Sequence, residues 1–193
     1  MNLSILVPNH NEKNIGYMEN RLRLYFPSAE IIVYPDYFGR GKGWALRNAF
    51  KQSTGDWVCM IDGDGDIQPS EIKRLIYYRG DNDIIIGVKD LRFMPLSRKI
   101  ISFFSRLLIK TLFRLPVSDT QTGIKLFKRE ALDTWKTDGF AFDIEILVNA
   151  HRKGFKIGEV PVFCTINRGK SIKIIWKTLK DTLKFRSSCR AVK

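Results

Sequence analysis

Cysteine is scarce in this chain of 193 residues: Cys59, Cys164 and Cys189 are the complete set. An odd, widely spaced trio without a CxxC pair excludes a disulfide framework and offers no zinc site, which fits thiols kept in a reducing compartment. Long apolar runs are missing as well. No stretch approaches the ~18 uncharged apolar residues of a membrane-spanning helix. The N-terminus runs directly into a candidate strand without a basic leader or small-residue cleavage site, so the expectation is a cytosolic chain with, at most, peripheral membrane contact. Acidic residues are outnumbered, 20 against 33 Lys and Arg, giving a formal charge of +13. Such an excess points to an anionic partner: a nucleotide, a phospholipid surface or nucleic acid. No recognised nucleic-acid motif or base-stacking platform is legible, so nucleic acid is the least favoured of the three.

What is present is a single good core, with 44% hydrophobic residues and no repeat or low-complexity segment. Strand and helix signals alternate: strands at Asn2 to Val7, Glu30 to Tyr34, Trp57 to Ile61 and Asp83 to Val88, and helices at Glu12 to Tyr25, Gly43 to Gln52 and Pro69 to Tyr78. In the first helix Ile15, Met18, Leu22 and Leu24 are placed on roughly one side. This order implies an α/β fold whose mainly parallel sheet is flanked by helices on both faces.

Asp62-Gly63-Asp64-Gly65-Asp66 follows the apolar run Trp57-Val58-Cys59-Met60-Ile61, where a strand opens into a loop. If the segment stays extended, Asp62 and Asp64 point the same way and can converge on one hard cation, with Gly63 and Gly65 freeing the backbone. Oxygen-only ligands suit magnesium, manganese or calcium rather than zinc. The competing reading is a solvated Asp/Gly turn. An EF-hand is excluded, because Ile67 stands at the sixth loop position, where Gly is required, and Lys73 at the twelfth, where Glu is required.

Two further loops carry polar groups at strand ends. Pro8-Asn9-His10-Asn11-Glu12 lies where a nucleotide crosses an open sheet, with Glu12 either bonding base or ribose or capping the next helix. Gly39-Arg40-Gly41-Lys42-Gly43 is suited to phosphate through backbone N–H groups and Lys42. It is not a P-loop, since Gly43 replaces the required Ser/Thr, nor a dinucleotide fingerprint, since Leu46 occupies the last glycine position.

From Arg92 onward the character changes. Ile100, Ile101, Phe103, Phe104, Leu107, Leu108, Leu112 and Phe113 recur at helical spacing among Arg98, Lys99, Arg106, Lys110 and Arg114, which reads either as a core-facing helix with a basic outer face or as an interfacial helix. From Arg168 to Lys193 nine cations face the single acid Asp181, with Trp176, Leu179, Leu183 and Phe185 between them. Two such segments suit an anionic membrane surface, each nearby cation adding about 1 kcal/mol; a disordered basic tail is the alternative.

These motifs together resemble glycosyltransferase family 2 enzymes of the GT-A fold. Pro8-Asn9-His10-Asn11-Glu12 resembles the family's first-strand nucleotide motif, Gly41-Lys42-Gly43 with Ala45-Leu46 its glycine-lysine loop, and Asp62-Gly63-Asp64 its metal motif. Asp119-Thr120-Gln121-Thr122-Gly123-Ile124-Lys125-Leu126-Phe127, Phe140-Ala141-Phe142-Asp143-Ile144-Glu145 and Glu159-Val160-Pro161-Val162 are similar to segments of dolichyl-phosphate glucosyl- and mannosyltransferases. The chain departs from the pattern at Tyr34-Pro35-Asp36-Tyr37, where the family usually has Asp-Asp-Gly-Ser. It departs again in the spacing of Arg168-Gly169-Lys170-Ser171, which resembles the basic acceptor loop.

The resemblance implies a single GT-A type, Rossmann-like domain over residues 1–166, with an acceptor loop and a basic amphipathic C-terminal helix over 167–193. It implies metal-dependent inverting transfer from a UDP- or GDP-sugar to a polyprenyl or dolichyl phosphate at a cytoplasmic membrane face, with a possible membrane-protein partner. Mg2+ or Mn2+ would be held by Asp62, Asp64 and Asp66, and the donor by Pro8, Asn9, His10, Glu12, Asp36, Lys42, Asp62, Gly63 and Asp64. Gln121, Lys125, Arg168, Lys170 and Ser171 would meet the acceptor, and Asp64 and Asp119 would serve the reaction. Asp143 or Glu145 would act as base if the acceptor were instead a sugar or protein hydroxyl. A soluble transferase and a non-catalytic nucleotide-binding protein are the alternative readings.

Overall fold

The computed structural model describes residues 1–89, 103, 106–107, 109–165 and 180–187. Its strands are β1 (Leu3–Asn9), β2 (Glu30–Pro35), β3 (Trp57–Ile61), β4 (Ile84–Lys89), β5 (Ile124–Lys128) and β6 (Ile157–Val162). The helices named along the chain are α1 (Ile15–Tyr25), α2 (Lys42–Gln52), α3 (Glu71–Tyr77) and α4 (Phe142–Arg152), and residues 109–113 and 180–187 are also helical.

One six-stranded sheet runs β2-β1-β3-β5-β4-β6. β1 pairs in parallel with β2 and β3, and β4 with β6, whereas β5 runs antiparallel between β3 and β4. The sheet is thus α/β and largely parallel, with one reversed strand that hydrophobic alternation alone does not reveal.

The pleat of the strands sorts side chains into two cores. Leu6, Val58, Met60, Ile84, Ile86 and Phe127 face α2 and α4, packing with Leu46, Phe142 and Leu147. Ile5, Val7, Cys59, Ile61, Ile85 and Leu126 face α1 and α3, packing with Met18, Leu22, Ile72 and Leu75. Helix α4 is buried nearly all round, with eight of its eleven residues inside, the acids Asp143 and Glu145 among them. Helix α1 is the opposite case, burying Met18 and Leu22 alone. Leu24 is 79% exposed rather than on that face. At 100° per residue it lies half a turn from Ile15.

Helix α1 starts three residues later than the Glu12 expected from sequence, because the Asn9 side chain accepts the Glu12 N–H (3.1 Å) and Asn11 takes a positive φ of 55°. This side-chain bond holds residues 9–12 as a loop beyond the end of β1.

Trp135 anchors the segment that follows β5. Its indole is 2% exposed, lies against Phe50 and Phe142, and donates to the Gly43 carbonyl at 2.9 Å. Trp135→Phe keeps an aromatic ring but removes the indole N–H bond to that carbonyl and leaves space in the core, and it is expected to lower stability by about 1–3 kcal/mol in urea unfolding. An unchanged unfolding midpoint would contradict this anchoring role.

Candidate functional site

The alternation that builds the two cores also builds the site. Asp62 follows Ile61 and falls on the α2/α4 side with Met60, while Lys125 on β5 pairs directly with Met60 and faces the same way. The Asp62 N–H continues the ladder to the Gly123 carbonyl at 2.9 Å. On this side the first residue of α2, Lys42, meets Asp62 (Nζ to Oδ1, 2.5 Å), and Asp143 on α4 meets Lys125 (2.8 Å). Lys125 also donates to the Thr122 carbonyl at 2.6 Å. The four charged groups line one pocket with Leu46, Met60, Thr122, Gly123 and Phe142 among its walls.

The electrostatics of the two lysines differ. Burial pushes the Lys42 ammonium down, but Asp62, Asp143 and Asp64 together raise it above the usual range. For Lys125 burial prevails: despite Asp143, it is held below the ordinary amine value, with Lys42 adding to the depression.

Gly123 is required here by space, because a Cβ on it would collide with the Asp62 carboxylate. Gly43 is required by space as well. A Cβ there would strike the Thr137 carbonyl and lie 2.8 Å from the Phe142 Cβ.

The Asp62–Asp66 segment is a turn rather than an extended run, with Gly65 at φ 80° and the Asp66 N–H donating to Asp64 Oδ1 at 3.0 Å. The carboxylates are therefore presented by a loop and not by strand alternation. Their chemistry suits a hard dication, since all three offer oxygen. Among the described residues, however, no three His, Cys, Asp or Glu side chains are grouped to hold one ion. Asp62, Asp64 and Asp66 fit Mg2+ or Mn2+ in donor type, and convergence on an ion requires Asp62 to reorient from Lys42. Downstream of β6, the Thr165 N–H and hydroxyl both donate to the Asp66 carbonyl, at 2.8 and 3.0 Å, which ties the strand's extension to this loop.

The Pro8-Asn9-His10-Asn11-Glu12 loop lies beside the end of β2. Pro8 pairs with Tyr34 and Asn9 with Pro35, the Asp36 N–H donates to the Asn9 carbonyl, and His10 Nδ1 is 2.9 Å from the Asp36 carbonyl oxygen. Gly63 packs under the same loop, its absent Cβ leaving room for the Pro8 carbonyl at 3.1 Å. Asp36 itself is 4% exposed, and its two carboxylate oxygens accept the N–H groups of Arg40 (2.8 Å) and Gly41 (2.7 Å). It organises the glycine loop from below, and two N–H groups expected to face phosphate face Asp36 instead. Lys42 is what this loop brings into the pocket.

Asp119 is buried and ion-paired to Arg106 at 3.0 Å, and it accepts the Gln121 N–H at 3.0 Å. Burial pushes its carboxyl up, but the hydrogen bonds and Arg106 outweigh burial and hold it below the ordinary range. Glu159 on β6 accepts the Ser118 and Asp119 N–H groups at 2.6 and 3.1 Å, and so fixes this turn from behind. From sequence Glu159 falls in a family-like segment and Arg106 in the basic helix, but neither has a role at the site there; their partners lie 41 and 13 residues away, and no local signal links them. Glu145 is also buried, and it accepts the N–H groups of Lys136 and Thr137 at 2.9 and 2.8 Å. Arg168, Lys170 and Ser171 lie outside the described residues.

The two basic segments meet where they are described. Phe185 stacks on Phe113 with ring centres 5.7 Å apart, and Arg186 lies over Phe113 at 5.6 Å. Phe103, Leu107 and Leu183 are exposed apolar groups on these segments, with Lys110, Arg114, Lys180 and Lys184 exposed on them as well. No helix among the described residues is long and apolar enough to cross a membrane.

The family model described as Glycosyl transferase family 2 matches residues 26–135. Among curated relatives, an undecaprenyl-phosphate mannosyltransferase of Micrococcus luteus is 24% identical over 201 residues, covering 84% of this chain and 83% of the relative. A dolichyl-phosphate beta-glucosyltransferase of Dictyostelium discoideum is 29% identical over 70% of this chain and 46% of the relative. The low-salt glycan biosynthesis hexosyltransferase Agl6 of Haloferax volcanii is 27% identical over 68% of this chain and 34% of its own length. This chain thus spans most of the first relative and less than half of the other two. Among solved structures, glucosyl-3-phosphoglycerate synthase from Mycobacterium tuberculosis, in complex with Mn2+, UDP and phosphoglyceric acid, superposes with a TM-score of 0.75 at 16% identity, covering 94% of this chain and 76% of that one. At this identity the likeness establishes the fold.

Because the folded-state pKa of Asp119 is depressed, the stabilisation it contributes is fully present above about pH 4 and is lost as pH falls through the lower folded value. Asp119→Asn is therefore expected to be less stable than the parent by about 1–3 kcal/mol near neutrality, with the gap closing toward pH 3 in urea titrations. A gap that stays constant down to pH 3 would contradict this electrostatic account.

Proposed function

The chain belongs to glycosyl transferase family 2, and on that premise we propose that it moves a sugar from a UDP- or GDP-sugar to a polyprenyl phosphate, with inversion and with the help of a divalent metal. The observation that carries the acceptor class is the state of the two carboxylates suited to general-base work. Asp143 is ion-paired to Lys125, and Glu145 is engaged by two backbone N–H groups. Neither is poised to deprotonate a hydroxyl, which favours an acceptor that needs no strong base. A phosphate monoester is such an acceptor, being anionic near neutral pH, and it requires cations to orient it. The names of the mannosyl- and glucosyltransferase relatives point the same way.

On this reading the donor diphosphate lies between the start of α2 and the Asp62–Asp66 loop. Asp62, Asp64 and Asp66 would hold Mg2+ or Mn2+, which supplies neutralisation of the leaving diphosphate; metals and UDP accompany the fold neighbours. Lys42 adds a fixed positive charge at the same place, and such electrostatic stabilisation is the largest contribution a protein makes to this kind of transfer. The loop of Pro8, Asn9, His10 and Glu12 borders the nucleoside, with Asp36 supporting the neighbouring glycine loop. Lys125 contributes field from beneath, while Asp119 and Gln121 shape the acceptor side together with Arg168, Lys170 and Ser171. The exposed Phe103, Leu107 and Leu183, with Lys110, Arg114, Lys180 and Lys184, suit an anionic membrane surface, where the lipid end of the acceptor resides.

The test is incubation of the purified protein with UDP- and GDP-sugars, Mg2+ or Mn2+, and a short polyprenyl phosphate, read by mass spectrometry. A sugar-linked lipid is expected, and Asp64→Ala should lower its rate by about 100-fold or more without changing the circular dichroism spectrum. Product from a water-soluble hydroxyl acceptor, with none from the lipid phosphate, would overturn the acceptor class. Steeply salt-dependent nucleic-acid binding with no donor turnover would overturn the enzymatic reading.

A further inference from the structure

The ammonium of Lys42 lies 2.5 Å from Asp62 Oδ1, an oxygen of the carboxylate that begins the Asp62–Asp66 loop. A dication and an ammonium cannot share that carboxylate oxygen at close range without strong repulsion. We propose that Lys42 is a placeholder cation for Asp62, so that a divalent metal ion gains this carboxylate only when a diphosphate arrives to receive the lysine. Metal and nucleotide then bind jointly rather than independently. This inference rests on the donor site proposed above and adds the order in which that site is assembled.

Three features support it. Lys42 is confined: its side chain is 15% exposed, it stands at the first turn of α2, and its ammonium lies 5.6 Å from the centre of the Phe142 ring. The other acid lining the pocket, Asp143, adds to the negative field on Lys42 but is itself held by Lys125 at 2.8 Å, so Asp62 is the carboxylate that Lys42 pairs with directly. A lysine driven off Asp62 would therefore lose its direct partner in a largely buried place, a costly arrangement unless an anionic ligand supplies a new one. Finally, Asp62 is closely packed: a Cβ on Gly123 would collide with its Oδ2. The pair is a defined contact and not a chance encounter of mobile surface groups.

The coupling is measured without turnover, by electron paramagnetic resonance of free Mn2+ titrated against the intact protein in the absence of nucleotide. Lys42→Met is expected to bind Mn2+ about tenfold more tightly than the parent, since the competing charge is gone, while Lys42→Arg retains the weak parental affinity. Adding UDP or GDP should strengthen Mn2+ retention by the parent more than by Lys42→Met, after correction for the metal–nucleotide complex in solution. Adding Asp62→Asn to Lys42→Met should erase the gain. Lys42→Gln, with its smaller change in polarity, repeats the comparison if Lys42→Met has a lowered urea midpoint. If the parent binds UDP or GDP with Mn2+ and neither neutral variant gains nucleotide-free Mn2+ affinity, the placeholder role is overturned and the donor site stands. A gain that survives Asp62→Asn overturns it equally. If no form binds Mn2+ or nucleotide, the donor site itself falls and the inference with it.

Discussion

Two lysines and two aspartates in one pocket are the constraint around which the functional end of this molecule is arranged. Lys42 pairs with Asp62 and Lys125 with Asp143, and the four come from α2, the end of β3, β5 and α4. Removing one member of a buried pair leaves its partner's charge uncompensated, typically a loss of about 3–5 kcal/mol. The pairs therefore fix the approach of both helices to the sheet as well as the charge pattern a ligand meets. They also separate two tasks. The Lys125–Asp143 pair is almost fully buried and acts on the site through its field, whereas the Lys42–Asp62 pair stands at the pocket's edge, with Asp62 31% exposed, and can exchange partners.

Close backbone approach makes this arrangement possible. Gly43 admits the 137–138 carbonyls and Phe142 against the start of α2, Trp135 bonds the Gly43 carbonyl, and Gly123 yields its side-chain volume to Asp62. Asp36 completes the loop by accepting two N–H groups. Glycines in a loop beside a lysine are thus used here to bring protein backbone near as much as to expose N–H groups to phosphate. Behind the site, Glu159 and Arg106 hold the Asp119 turn, so the outermost strand and the basic helical segment both bear on that turn.

Much of this was legible in the sequence. The four N-terminal strands fall close to their apolar runs, and β3 coincides with Trp57 to Ile61, because a strand buried on both faces shows as a continuous run. The motifs around Lys42, Asp62, Lys125 and Asp143 do meet in space. What local pattern does not carry is direction and partnership. The reversal of β5 depends on the long connection after β4, and the Arg106–Asp119 and Glu159–Ser118 contacts join distant positions. Strand alternation was extended too far at Asp62 and Asp64, where Gly65 with φ 80° marks a turn. Asp36 is different: its carboxylate accepts the Arg40 and Gly41 N–H groups in the loop ahead of α2, a local contact four and five residues on that matches no helix-capping spacing.

The central claim is that the pocket formed by α2, β3, β5 and α4 receives the diphosphate of a nucleotide-sugar. A crystal structure of the protein grown with Mn2+ and whichever of UDP and GDP it binds more tightly tests this directly. The account expects the diphosphate between the start of α2 and the Asp62–Asp66 loop, metal on the loop carboxylates, and Lys42 moved from Asp62 to a phosphate oxygen. Nucleotide bound at another surface, with Lys42 still on Asp62, would contradict it.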